Sequence, residues 1–91
     1  MSEEIQRVWL AERTFSDDEQ NIVILVYATT DGRRTFRKER ALTSFTGGRR
    51  TTAAVDVPER NLSTVEDPEE RDRYRTEATR MATEHDPDDP V

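Results

Sequence analysis

The run Asn21-Ile22-Val23-Ile24-Leu25-Val26-Tyr27-Ala28 constrains the fold most. Apolar residues, most of them β-branched, fill both faces without the alternation of a half-solvated strand, so the run reads as a central strand covered on both sides. In a chain of 91 residues it must serve a single small core, because a domain of this size buries only about 60–65% of its unfolded surface. A strand apolar on both faces therefore needs two covering layers, and so short a chain has few elements to supply them.

The neighbouring segments build a sheet around it. Val8 to Phe15 reads as a first strand, with Val8 and Leu10 on one face and Trp9, Ala11 and Phe15 on the other. Ser16 to Asn21 is a polar turn. Thr30-Asp31-Gly32-Arg33 predicts a type I′ hairpin turn into a third strand from Thr35. Arg37 to Leu42 consists of good helix formers placed where that strand should continue, so a short helix from Arg37 to Phe45 ending at Gly47 competes with it. Thr51 to Val57 alternates as a fourth strand, stopped by Pro58.

Near the end, Asp67 caps a helix with Pro68 in its first turn and Glu70 at the capping-box position, and Glu69 and Arg73 are spaced as an i,i+4 pair. Tyr74, Ala78, Met81, Ala82 and His85 form one stripe of that helix. Asp86-Pro87-Asp88-Asp89-Pro90-Val91 has little apolar surface to bury and reads as a disordered acidic tail. The predicted fold is α+β, an antiparallel meander of three or four strands with one C-terminal helix packed on the sheet. Residues 1–85 make one domain and residues 86–91 the tail.

One helix covers one face of a sheet. With Ile22, Ile24 and Val26 pointing one way and Val23, Leu25 and Tyr27 the other, one set of three needs a different cover: the loop through Phe45, the segment Leu62 to Val65, or a second chain. Three large side chains left in water would forfeit several kcal/mol, comparable with the whole stability of a small domain. The six residues Ile22 to Tyr27 are accordingly the candidate partner interface, and the expected function is a non-enzymatic interaction module that forms a homodimer or binds another protein.

The alternative is a nucleic-acid or anion binder. Arg33, Arg34, Arg37, Lys38, Arg40, Arg49 and Arg50 face a single acid, Glu39, within a chain whose formal charge is -6. Phe36 and Phe45 interleave with them, supplying guanidiniums for phosphates and rings for bases. Convergence of this patch requires the third and fourth strands to pair, and because a strict strand places Arg34, Phe36, Lys38 and Arg40 on one face and Arg33, Arg37 and Glu39 on the other, it also requires a bulge, a twist or the short-helix alternative. Internal pairing with the acids of the helix and tail is the competing explanation.

No reaction or cofactor is indicated. The chain has one His and no Cys, and His85 sits where a cation favours a helix C-terminus. Glu84, His85 and Asp86 point in different directions on a helix, and Ser16, Ser44 and Ser63 lack a base. Gly47-Gly48-Arg49-Arg50 lacks the Lys-Ser/Thr ending of a phosphate loop. No catalytic or metal-binding residue is therefore assigned. No apolar run approaches the roughly 20 residues that span a bilayer, and Met1-Ser2-Glu3-Glu4 is the reverse of a basic leader, so a cytoplasmic protein without a membrane partner is expected.

Thirteen of the 14 basic residues are Arg, and Asp and Glu number 20. This composition resembles that of proteins from salt-loving archaea. A carboxylate-rich surface stays hydrated in molar salt, where charge is screened over roughly 3 Å. The stretches Arg37-Lys38-Glu39-Arg40-Ala41-Leu42-Thr43-Ser44-Phe45 and His85-Asp86-Pro87-Asp88-Asp89 are similar to a group of small acidic haloarchaeal proteins of unknown function. The likeness covers most of the chain and implies a halophilic setting without assigning a catalytic residue.

Overall fold

A computed structural model describes residues 4–15, 22–41 and 51–91. Over these described residues it is an α+β fold of five antiparallel strands and one helix: β1 (Ile5–Phe15), β2 (Ile22–Ala28), β3 (Arg34–Ala41), β4 (Ala54–Pro58), β5 (Ser63–Thr64) and α1 (Pro68–Glu84). The sheet order is β4-β1-β2-β3-β5, which puts the strand apolar on both faces at the centre. β1, β2 and β3 form the expected meander. β4 then returns to β1 instead of continuing beside β3, bringing Val55 opposite Val8 and Val57 opposite Gln6.

Chain geometry makes this sheet curl. In a flat sheet β4 and β5 would lie four strand spacings apart, about 19 Å. They are joined only by the 3-10 turn Glu59–Asn61 and Leu62, a path of roughly 14 Å. The edges must therefore approach each other. The face turned inward holds Val8, Leu10, Val23, Leu25, Tyr27 and Val57, with Phe36, Val55 and Leu62 packed against them. The cover for that face thus comes from the curled sheet together with Leu62, one of the candidates named from sequence, Met81 of the C-terminal helix and Val91. On the opposite face Val26 is 9% exposed and Ala28 fully buried, while Ile22 and Ile24 are half-buried.

A bulge in β1 sets what that face carries. Leu10 pairs with Tyr27 but Glu12 pairs with Val26, so Ala11 is the extra residue and the facing of every later residue reverses. Phe15 lies opposite Val23, on the side of Leu10, not on the side of Trp9 as simple alternation predicts.

Arg34–Ala41 is a strand throughout its length, pairing from Ala28↔Thr35 to Ile22↔Ala41, so the short-helix alternative fails over these residues. Seven consecutive pairings with a central apolar strand outweigh helix propensities worth only tenths of a kcal/mol each. The hairpin between β2 and β3 has a five-residue loop, Thr29 to Arg33, not a two-residue type I′ turn. Gly32 N–H donates to the Thr29 carbonyl at 2.8 Å, and Thr29 N–H donates to the Arg34 carbonyl at 3.0 Å. Asp31 Oδ1 holds the loop by accepting from the Thr29 hydroxyl at 2.6 Å and from Arg33 N–H at 2.9 Å.

α1 packs chiefly on β1 and also on β2, with Ala78 fully buried and Met81 against the core cluster. Asp67 caps it, Oδ1 accepting from Glu69 N–H at 3.1 Å. Arg73 pairs with Glu12 at 3.2 Å, a tertiary partner in place of the expected Glu69.

Residues 86–91 are docked, against the expectation of a disordered tail. Ala54 N–H donates to the Pro87 carbonyl at 2.9 Å, Ala53 N–H to the Asp89 carbonyl at 2.8 Å, and Val91 N–H to the Thr51 carbonyl at 2.9 Å. Composition predicts disorder because the acids bury nothing. The backbone groups, however, find an open edge, and Val91 reaches the core.

Candidate interaction surfaces

Val23, Leu25, Val26 and Tyr27 of the sequence-derived interface are buried within the protomer, and only Ile22 and Ile24 retain partial exposure. Ile24 is flanked in register by Thr14 and Glu39, which interrupts any continuous apolar face. The exposed large apolar side chains among the described residues are Ile5, at 57%, and Phe15, at 60%. Sequence reading did not single out Phe15, because the bulge that redirects it has no clear sequence signature.

By register, Phe15, Val23 and Arg40 form one row across β1, β2 and β3, and Arg13, Leu25 and Lys38 form the next. Three cations and an exposed ring thus share one side of the sheet. Burial raises the pKa of the Tyr27 hydroxyl, and the charges of Arg40 and Arg13 partly oppose that rise.

The basic stretch does not converge as one patch. Arg34, Phe36, Lys38 and Arg40 share a face, whereas Arg37 lies on the other and pairs with Glu39 at 3.1 Å. Arg34 pairs with Glu59 at 2.6 Å. Arg33 belongs to the hairpin loop, where its carbonyl accepts from Val65 N–H at 2.8 Å. Phe36 is not free to stack on a base: its ring lies 6.2 Å from that of Tyr27, against the core. Phe45, Arg49 and Arg50 lie outside the described residues. Because β4 pairs with β1, the strand pairing on which convergence depended is absent.

His85 closes the helix, its N–H donating to the Met81 carbonyl at 3.0 Å, and its Nδ1 lies 3.6 Å from Asp89 Oδ2. Shallow clefts also lie among the described residues. One is lined by Arg7, Thr52, Ala54, Asp56, Pro87 and Asp88, and another by Gln6, Arg7, Thr29, Asp31, Arg33 and Glu59 among others. In both, acids stand beside the guanidiniums. Arg7 Nε donates to Asp56 Oδ1 at 2.9 Å, which raises the Arg7 pKa and lowers that of Asp56. No group of three or more metal-ligating side chains occurs among the described residues, and no helix there is long and apolar enough to cross a membrane.

The match to a family model extends over residues 1–91. The chain belongs to the family of unknown function DUF7967. No curated protein and no solved structure matches it. The surfaces above are therefore the local basis for a functional reading of this member of the family.

Proposed function

We propose that this protein is a non-enzymatic interaction module that self-associates or binds a partner protein through the far end of the β1–β2 hairpin. The observation that carries this reading is Phe15, 60% exposed at the end of β1 on the side of the sheet that carries Val23. A ring left in water contributes nothing to the stability of a small domain, and an aromatic anchor is what a docking site uses. The interface is smaller than the six-residue face expected from sequence and is centred at its edge. Light scattering in molar KCl tests it: a dimer is expected for the wild type, and Phe15→Lys should weaken association at least tenfold. A wild-type monomer at every concentration would leave only a heterologous partner, and a Phe15→Lys dimer as tight as the wild type would exclude this surface.

A second reading, nucleic-acid binding, is favoured by Arg13, Lys38 and Arg40 on the side that carries Phe15. It replaces Phe36 by Phe15 as the stacking ring. Single-stranded RNA and DNA should then bind at 0.1 M KCl, retain measurable binding at 2 M, and lose it in Phe15→Ala. Binding confined to low salt is what any cationic cluster would show. The acidic, arginine-dominated composition supports a halophilic, cytoplasmic setting for either activity.

A further inference from the structure

Among the described segments, 86–91 is held in place largely by backbone. Its carbonyls at Pro87 and Asp89 accept from Ala54 and Ala53, its Val91 N–H donates to Thr51, and Thr52 and Pro90 form an antiparallel bridge. Beyond these, Val91 is its apolar anchor, while Asp86, Pro90 and Asp88 are exposed. Six ordered residues are thus kept by few contacts. Release of the segment would uncover the N–H groups of Ala53 and Ala54, both in buried residues, together with the apolar site of Val91. Unpaired donors on a sheet edge beside an apolar site are what an added strand satisfies.

We propose that residues 51–54 form a strand-accepting groove, that segment 86–91 is its resident occupant, and that a partner protein enters by displacing it. The partner segment is acidic and proline-containing, turns as the resident does where Asp89 N–H donates to the Asp86 carbonyl at 3.1 Å, and carries an aliphatic side chain at the position of Val91. Its chemistry is argued from the resident. Backbone carbonyls meet Ala53 and Ala54, an aliphatic group enters the core, and an acid lies beside Arg7, which lines the cleft shared with Asp88. Prolines at 87 and 90 remove N–H groups, and Pro87 presets the turn that closes at Asp89, so such a segment adds only a short bridge opposite Thr52 and resists further pairing. This groove lies at the β4 side of the sheet and makes no use of Phe15.

The test uses full-length protein and a fluorescent peptide with the sequence of residues 85–91. Val91→Asp should free the groove, so that the variant takes the peptide at least tenfold more tightly than the wild type, whose own segment competes at high effective concentration. A peptide ending in Asp in place of Val should bind at least tenfold more weakly. Equal binding by wild type and variant, or no binding by a variant with wild-type circular dichroism and Trp9 fluorescence, would overturn the proposal. Should Val91→Asp fail to fold, amide exchange of the wild type decides. The Ala53 and Ala54 amides should exchange through a local opening, faster than those of Val8 and Leu25, whereas exchange only through global unfolding would show that the segment is not displaceable.

Discussion

A side chain at position 32 has no space to occupy. Gly32 has φ +73°, and a Cβ there would lie 2.1 Å from the Arg71 carbonyl oxygen and 2.8 Å from the Arg75 nitrogen. The hairpin loop and the first turns of α1 thus meet backbone to backbone. Gly32→Ala should cost about 2–5 kcal/mol from the left-handed backbone and the collision together, lowering the thermal midpoint by more than about 10 °C. A change of under about 3 °C in calorimetry would show that helix and loop separate without penalty. Asp31 beside it titrates below the ordinary carboxylate value, first because the Thr29 hydroxyl donates to it and also because of Arg33 N–H. A depressed folded pKa contributes stability that is complete above the ordinary value of 3.8 and is lost as the pH falls through the folded value. Asp31→Asn should therefore weaken the protein at pH 7 and lose less further stability between pH 4 and pH 2 than the wild type, as read by urea midpoints.

At the scale of elements, the cap and the stripe of α1 were legible from sequence. Asp67, Pro68 and the row from Tyr74 to His85 are local signals, and each stripe residue is at least half-buried. Asp67→Ala should remove the bond to Glu69 N–H and cost about 1 kcal/mol, a fall of roughly 4–8 °C in the thermal midpoint. An unchanged midpoint would mean that tertiary contacts such as Arg71 Nε to the Val65 carbonyl, at 2.6 Å, hold the first turn without the cap. β3 shows the opposite case. Its composition favours a helix, and only pairing with β2 decides the matter.

For the whole molecule, charge and curvature are the governing quantities. The formal charge is -6, and ion pairs such as Arg7 with Asp56 and Arg73 with Glu12 are exposed, so solvent and salt screen them and each adds little to stability. Raising KCl from 0.1 to 2 M screens self-repulsion more than it weakens these pairs. The thermal midpoint should therefore rise with KCl; a fall would mean that the surface pairs outweigh the net charge.

Sequence alone determined the elements whose signals are local: the central strand from its unbroken β-branched run, the hairpin from Asp31-Gly32, the capped helix, and hence the α+β class. It also identified the mismatch of one helix with a strand apolar on two faces. How that mismatch is resolved belongs to tertiary structure, because closure depends on pairings between residues distant in the chain. Val8 with Val55 closes one side, and the short path from Pro58 to Ser63 bends the sheet until, with Leu62, Met81 and Val91, it covers its own inner face. The same holds for the candidate surfaces. A single bulge at Ala11 puts Arg13 and Phe15 on the side of Lys38 and Arg40, and an edge at residues 51–54 orders a segment whose composition argues for disorder. A one-residue register shift and an open hydrogen-bonding edge carry no clear signature in residue type, so only the assembled sheet decides them.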